Sequence, residues 1–226
     1  GDDRRQVEAI GLLHFPCPYM QLLKHWGSEV RVAAGEPWIH KATVEAEGVI
    51  CHDIGFSRSP FHPKNALVMQ RFCLLLRSYG FVMVHLHTPV ASILGRIACR
   101  LTNTRTVVYT AHGFHFYNGT PRLNWLLYYP AERLVARWTD CLITINEEDY
   151  QRAQSFRLRK GGHLVKVPGV GVDLARFSVQ DRNALRAEVR AELGLSPEAK
   201  LLLSVGELNR NKNHIQVVRA LPAIIE

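Results

Sequence analysis

The sequence predicts an α/β fold with a doubly wound parallel sheet, and two observations carry that prediction. Apolar runs of strand length recur along the chain, and between them lie segments whose apolar residues follow helical spacing. Strands that are apolar throughout must be covered on both faces, which a helix-flanked parallel sheet achieves.

In order, Pro18 to Trp26 carries Tyr19, Leu22, Leu23 and Trp26 at helical spacing and is stopped by Gly27. A strand is predicted over Glu29 to Ala34, then a helix from Asn65 to Tyr79 closed by Gly80. Phe81 to His87 reads as a buried strand, Val90 to Leu101 as a helix and Thr106 to Thr110 as the next strand. A helix from Arg122 to Trp138 follows, with Pro130 expected to kink or divide it. Cys141 to Ile145 is the next strand, and Asn146 is placed to cap a helix from Glu147 to Phe156. The charged opening of the chain makes a poor buried strand, so the first strand of the fold is expected to be missing.

The segment Val165 to Val172, with Pro168, Gly169 and Gly171, breaks the alternation. Residues 1–172 are therefore assigned to a first domain and 173–199 to a linker with a polar helix from about Arg182 to Leu193. Residues 200–226 are read as the start of a second domain, a strand over Lys200 to Val205 and a helix from about Asn213, too short to bury a core of its own.

The 226 residues are 47% hydrophobic and 21% charged, which excludes disorder and collagen-like repeats. Nothing approaches the roughly 18 consecutive apolar residues of a membrane span, and the opening is not a signal peptide, so a cytoplasmic location is expected. Five scattered cysteines without a CxxC pair indicate neither disulfides nor zinc. The net charge of +8 favours anionic partners. The basic residues form no dense tract and no nucleic-acid motif is present, so no nucleic-acid partner is expected.

Candidate chemistry lies in loops at strand ends, where an open parallel sheet binds its ligand. One loop holds His85, His87, Thr88 and Pro89, another runs from Thr110 through His112 and Gly113 to Tyr117. Four histidines invite a metal reading, but no Asp, Glu or Cys joins them at ligand spacing, so no metal is expected. His85 and His115 read as satisfied core residues, whereas His112 sits beside Gly113, where the backbone can approach a ligand closely. A third loop, Ser204 to His214, contains Gly206, Glu207, Asn211 and Lys212 ahead of a helix; a solvated loop and a diphosphate cradle are both open readings. Walker and GxGxxG patterns are absent.

At these residues the chain resembles bacterial family-4 retaining glycosyltransferases of capsule and exopolysaccharide synthesis, which pair two Rossmann-like domains in the GT-B architecture. The resemblance rests on His87-Thr88-Pro89, Tyr109 to Tyr117, Asn124-Trp125, Tyr128-Tyr129-Pro130, Glu132, Thr139-Asp140, Leu142 to Asn146 and Glu148-Asp149. It continues through Pro168 to Asp173 with Phe177, Ser204 to Leu208 and Asn211 to His214, so it covers the chain from about residue 15 to the end.

The resemblance implies that the first domain is the acceptor side and the last segment begins a nucleotide-sugar-binding domain. It places His112 in the cleft near the reacting sugar, with His87, Thr88, Gly113 and Asp173 in substrate contact. It places Gly206, Glu207, Asn211 and Lys212 at the donor diphosphate, on the opposite wall from His112. The donor is a nucleotide diphosphate sugar, no cofactor is implied, and the acceptor is lipid-linked or a glycan. Many relatives carry arginine where Glu207 stands, and their paired-glutamate motif lies beyond Glu226, so this chain alone is expected to be inactive. A non-catalytic scaffold and a sugar-nucleotide epimerase are the alternatives. An anionic membrane surface on the inner face of the cell membrane is a further candidate partner, from the basic charge and the aromatics Trp125, Tyr128 and Tyr129. Against it, aromatic spacing on a helix more often marks a core face.

Overall fold

The computed structural model describes residues 6–10, 18–35, 41–57, 59–169, 171, 174–175, 177–208 and 212–225, with the side chains of 6–10, 18–19 and 225 left out. Asp173 and Asn211, both expected to touch substrate, lie outside the described residues. The chain divides into two compact units, Gly1–Gly171 and Val172–Glu226.

The first unit is a parallel sheet of seven strands in the order β3-β2-β1-β4-β5-β6-β7. The strands are β1 (Gln6–Ile10), β2 (Glu29–Ala34), β3 (Ile50–Asp53), β4 (Met83–Leu86), β5 (Thr106–Ala111), β6 (Cys141–Thr144) and β7 (His163–Lys166). Helices α1 (Pro18–His25), α2 (Lys41–Ala46), α3 (Lys64–Tyr79), α4 (Pro89–Leu101), α5 (Arg122–Ala136) and α6 (Glu147–Ala153) make the crossovers. Chain order runs outward from β1 through β2 to β3, then returns to β4 on the other side of β1. That reversal, with Ile10 paired to Leu86 at the strand ends, is where such sheets open a ligand crevice.

Two layers of core lie against the sheet. Phe72 and Leu76 of α3, Ala98 and Cys99 of α4 and the strand residues Val84, Leu86, Val107, Tyr109 and Leu142 form one continuous cluster with Phe114, Phe116 and Phe156. A smaller cluster joins Met20, Val30, Val32, Val44 and Val49. Helix α4 sits so close to β4 that a Cβ on Gly95 would meet Leu86 Cδ2 at 2.6 Å, so any larger residue there would have to displace the buried Leu86 side chain. Helix α3 ends as its glycine predicts: Gly80 takes φ 59° and donates to the Leu76 carbonyl at 3.1 Å.

Three expectations require correction. The first strand is present: the backbone of Gln6–Ile10 pairs with β2 on one side and β4 on the other. Asp2, Asp3, Arg4 and Arg5, which argued most against it, come before it in sequence; Glu8 is the one charged residue within it, and Val7, Ala9 and Ile10 suit a strand with neighbours on both edges. Of the two outcomes expected at Pro130, division does not occur, since α5 runs unbroken from Arg122 to Ala136. The proline lies on the exposed side of the helix, where the Leu126 carbonyl it leaves without a donor can turn to water. The aromatics Trp125, Tyr128 and Tyr129 do not stand out from the surface; all three are half-buried and pack on the main core.

In the second unit, α7 (Arg182–Glu192) is capped by Asp181, whose carboxylate accepts from the Asn183 and Ala184 amides at 3.1 and 2.9 Å. The half-turn beyond it is tied back by the buried Arg190, which donates to the Ser196 and Ala199 carbonyls. Helix α8 (His214–Ile225) forms near its expected start, but Lys200 to Val205 adopts no strand. A lone strand has no neighbour to satisfy its backbone groups, and Leu203 and Val205 remain exposed.

Candidate functional site

The carboxyl ends of β4 and β5 carry the histidines, and the pairing of the strands decides which of them meet. β4 and β5 run in parallel with His85 opposite Val108 and Leu86 opposite Tyr109. His85 and His87 are two residues apart, so both rings leave the same face, with centroids 4.3 Å apart. His85 Nε2 lies 2.8 Å from Thr110 Oγ1, and His87 Nδ1 lies 3.0 Å from His112 Nε2. The result is a row of three imidazoles reaching from within the sheet edge to an exposed ring at His112.

Burial sets the protonation of this row. Desolvation, with the His112 ring adding to it, holds His85 down at about 4. Desolvation and then the rings of His85 and His112 hold His87 down at about 2. Partial desolvation lowers His112 as well. At neutral pH all three rings are uncharged, so one of His87 and His112 donates its N–H to the lone pair of the other. An exposed neutral imidazole fixed in this way can accept a hydrogen bond from a hydroxyl or donate one to it.

Thr88, immediately after His87, has φ 61° and ψ 136°. A β-branched residue at positive φ is a true outlier, and such strain clusters at ligand sites. It lets the chain turn directly from β4 into α4, with Pro89 at the first helical position and the Thr88 carbonyl accepting from the Ser92 amide at 2.9 Å. Gly113 takes φ 141°, a conformation that disfavours any side chain, and a Cβ there would find nothing within 4 Å.

Two acidic residues in the first turn of α6 hold the loop that bears His112. Asp149 accepts from the Phe114 amide at 3.2 Å and from Asn146 Nδ2 at 2.8 Å. Glu148 accepts from the Asn118 amide at 2.6 Å and pairs with Arg152 at 2.8 Å. Asn146 caps the helix as predicted, accepting from the Asp149 amide at 2.8 Å. Between the two clamps Phe114 and Phe116 are buried and stacked, while the His115 ring lies 4.7 Å from that of Tyr128. The clamp was not anticipated; the signal available was an N-cap asparagine followed by three acids.

Behind the loop is a buried ion pair, also unanticipated. Arg96 of α4 donates to Glu132 of α5 at 2.7 Å, both side chains being sealed from solvent, and its guanidinium lies 4.3 Å from the centroid of the Tyr109 ring. Asn118, Trp125, Tyr129, Glu147, Glu148, Gln151, Arg152 and Ser155 line an open cavity of about 650 Å³. Its charges cancel, Glu148 against Arg152 and Glu147 against Lys166.

In the second unit, the loop ahead of α8 is closed by one ring. His214 Nε2 donates to the Glu207 carbonyl at 3.1 Å, which leaves Nδ1 to accept from Ser204 Oγ at 2.6 Å. A Cβ on Gly206 would meet that ring at 3.3 Å, so the glycine permits the closure. Gly206, Glu207 and Lys212 are exposed on this loop. His87, Thr88, His112 and Gly113 are thus brought together in the first unit, while Gly206, Glu207 and Lys212 share one loop in the second.

Comparison with known proteins gives this geometry a context. The family model described as "Glycosyl transferase 4-like" matches residues 10–146. EpsD of Bacillus subtilis, which its name places among the glycosyltransferases, is 38% identical over 218 residues, covering 94% of this chain and 54% of its own. The UDP-Gal:alpha-D-GlcNAc-diphosphoundecaprenol alpha-1,3-galactosyltransferase of Escherichia coli is 31% identical over 153 residues, 67% of this chain and 38% of its own. The chain therefore spans about half the length, or less, of these curated relatives. A glycosyltransferase structure from Rickettsia africae superposes with a TM-score of 0.65 at 13% identity, covering 98% of this chain and 58% of that one, which supports the fold alone.

Proposed function

Because the chain belongs to the glycosyl transferase 4-like family, we propose that the protein moves a sugar from a nucleotide diphosphate donor to a lipid-linked or polysaccharide acceptor in cell-surface polysaccharide synthesis. The reading is supported by the names of its relatives, one of which states a UDP-sugar donor and a diphosphoundecaprenol-linked acceptor. The observation that carries it within the molecule is the exposed, uncharged imidazole of His112, anchored through His87 beside the reversal in strand order.

In a retaining transfer the bond from the anomeric carbon to the diphosphate breaks and a bond to the acceptor oxygen forms on the same face. The acceptor proton leaves with the diphosphate. His112 would hold the sugar or the acceptor hydroxyl by hydrogen bonding while positive charge develops on the ring. Thr88 and Gly113, which flank the paired rings of His87 and His112, would contact substrate. Gly206, Glu207 and Lys212 would meet the donor diphosphate, with Lys212 and the start of α8 balancing its charge. The neutral, aromatic-floored cavity beside Asn118 suits an uncharged, hydroxyl-bearing portion of an acceptor.

The test is incubation of the protein expressed from its own gene with a panel of UDP-sugars and a polyprenyl-diphosphate glycan. Magnetic resonance of the product should show a new glycosidic bond with the donor's anomeric configuration. Inversion would remove the retaining mechanism. Donor turnover to an epimer, with no acceptor product, would instead favour the epimerase alternative, and no turnover at all would favour a scaffold.

A further inference from the structure

The amino-terminal edge of the sheet, opposite the histidines, holds a second cavity. The chain enters β5 there from α4 and β6 from α5, so two helix C-termini adjoin two strand starts. Arg100, Asn103, Thr104, Arg137, Trp138 and Arg159 line a concavity of about 380 Å³, a volume that suits one small molecule. The whole length of β5 lies between this cavity and His112, a separation of roughly 20 Å.

The fold fixes the walls. Asn103 takes φ 54°, which ends α4 and lets the Thr104 amide donate back to the Cys99 carbonyl at 2.9 Å. The Trp138 and Thr139 amides close the end of α5 on the Val135 and Ala136 carbonyls, each at 3.0 Å. Arg159 is tied most firmly: its Nη1 donates to the Asp140 carboxylate, at 2.9 and 3.2 Å, and to the Arg105 carbonyl at 3.0 Å. Asp140 in turn accepts from the Val107 amide at 2.7 Å. The second terminal nitrogen of Arg159, Nη2, has no acceptor among the described residues, so a guanidinium already held in position keeps one edge able to bind.

Charge and ring type identify the ligand. Arg100 and Arg137 are exposed and form no ion pair among the described residues, and no acid is among the residues that line the cavity. Asp140 offsets Arg159, and each helix C-terminus brings about half a negative charge, so roughly one positive charge remains in excess. Phosphate suits guanidiniums placed in this way, because each can give it two parallel N–H bonds. Trp138 supplies a second feature. It is half-buried, yet unlike Trp125 it does not pack on the main core, and among the described residues no ring or cation stacks on it. An indole beside phosphate-binding guanidiniums suits a nucleobase, which stacks on an aromatic face whatever its identity. A lipid headgroup or inorganic phosphate shares the anion but leaves the indole unused.

We propose that this cavity binds a free nucleotide, with its phosphates on Arg100, Arg137 and Arg159 and its base on Trp138. The site belongs to the first unit, whereas the loop of Gly206 and Lys212 assigned to the donor diphosphate belongs to the second. It stands whether or not the protein transfers sugar.

The experiment is calorimetric titration of the protein expressed from its own gene with adenosine diphosphate, pyrophosphate, a single-stranded DNA oligonucleotide and phosphatidylglycerol vesicles. Lys212→Ala serves as the background, to weaken nucleotide binding at the donor loop. Adenosine diphosphate should bind, and R100Q/R137Q should weaken it about tenfold. Trp138→Leu should weaken it about tenfold while leaving pyrophosphate unchanged, and Trp138→Phe should keep most of the affinity. Circular dichroism melts establish that each variant is folded. No nucleotide binding in the folded background protein, equal affinity for pyrophosphate and adenosine diphosphate, or affinity unmoved by the arginine and tryptophan variants would each overturn the proposal. So would tighter binding of the DNA or of the vesicles through the same arginines, the first in favour of a nucleic-acid face and the second of a headgroup site.

Discussion

His87 Nδ1 lies 3.0 Å from His112 Nε2, so a buried imidazole sets the orientation of an exposed one. The exposed ring is the one able to reach a substrate, and the buried one acts through it. His87→Leu should therefore lower kcat of the transfer reaction about tenfold with the donor KM nearly unchanged. His87→Asn, which keeps a hydrogen-bonding group, should recover part of the loss. A KM effect of the same size in both variants would show that the buried ring contacts substrate itself.

The same row of rings ties stability to pH. The folded values of His85 and His87, about 4 and about 2, lie below the ordinary 6.5, so the unfolded chain binds more protons in between. Stability should be unaffected by these groups above pH 6.5 and should fall as pH drops below it, by roughly 1.4 kcal/mol per pH unit for each ring. The decline from His85 should level off near pH 4, while that from His87 continues lower. Denaturant melts of the wild type and of a His85→Gln, His87→Gln double variant between pH 7 and 4.5 check this: the variant's curve should be flatter, and parallel curves would contradict the assignment.

Arg96 and Glu132 form a pair that neither residue can leave cheaply. Glu132→Ala strands a guanidinium inside the core and should destabilise the first unit by about 3–5 kcal/mol. Replacing both residues by methionine should be far milder, since the pair then leaves no buried charge behind. Urea unfolding of the two variants distinguishes these outcomes, and equal losses would mean that packing volume, not charge, sets the effect.

Asp149 fixes the loop of His112 through the Phe114 amide. Asp149→Ala should cost about 1–3 kcal/mol and raise exchange at the Phe114 and His115 amides beyond any global change. Amide hydrogen exchange followed by residue is the direct reading. Unchanged protection at Phe114 would place the clamp elsewhere.

Much of the fold could be read from the chain because its inner strands are apolar throughout and its helices carry clear stops. Glu29–Ala34 and the cap at Asn146 are cases in which local chemistry and tertiary structure agree. The edges were harder. β3 and β7 are four residues each, with His52, Asp53, His163 and Lys166 among them, and such short polar strands resemble loops until a neighbour supplies the ladder. β1 was hidden by the charges preceding it. At Lys200–Val205 the opposite holds: an apolar run reads as a strand, yet forms none where no sheet receives it.

At the candidate site, residue types pointed to the loops but could not show which rings touch. The His87–His112 contact depends on the register of β4 against β5, and the strained φ of Thr88 has no signature in composition. The clamps from Glu148 and Asp149 and the Arg96–Glu132 pair cross 30 or more positions of sequence. Such separations are settled by topology rather than by any local pattern.

The most direct measurement is the transfer rate of the protein expressed from its own gene, with and without the imidazole at position 112. Steady-state kinetics with a UDP-sugar and a polyprenyl-diphosphate acceptor should show His112→Ala reducing kcat by roughly 10²- to 10⁴-fold, with the melting temperature preserved. A variant that transfers sugar at the wild-type rate would contradict the placement of His112 in the active site.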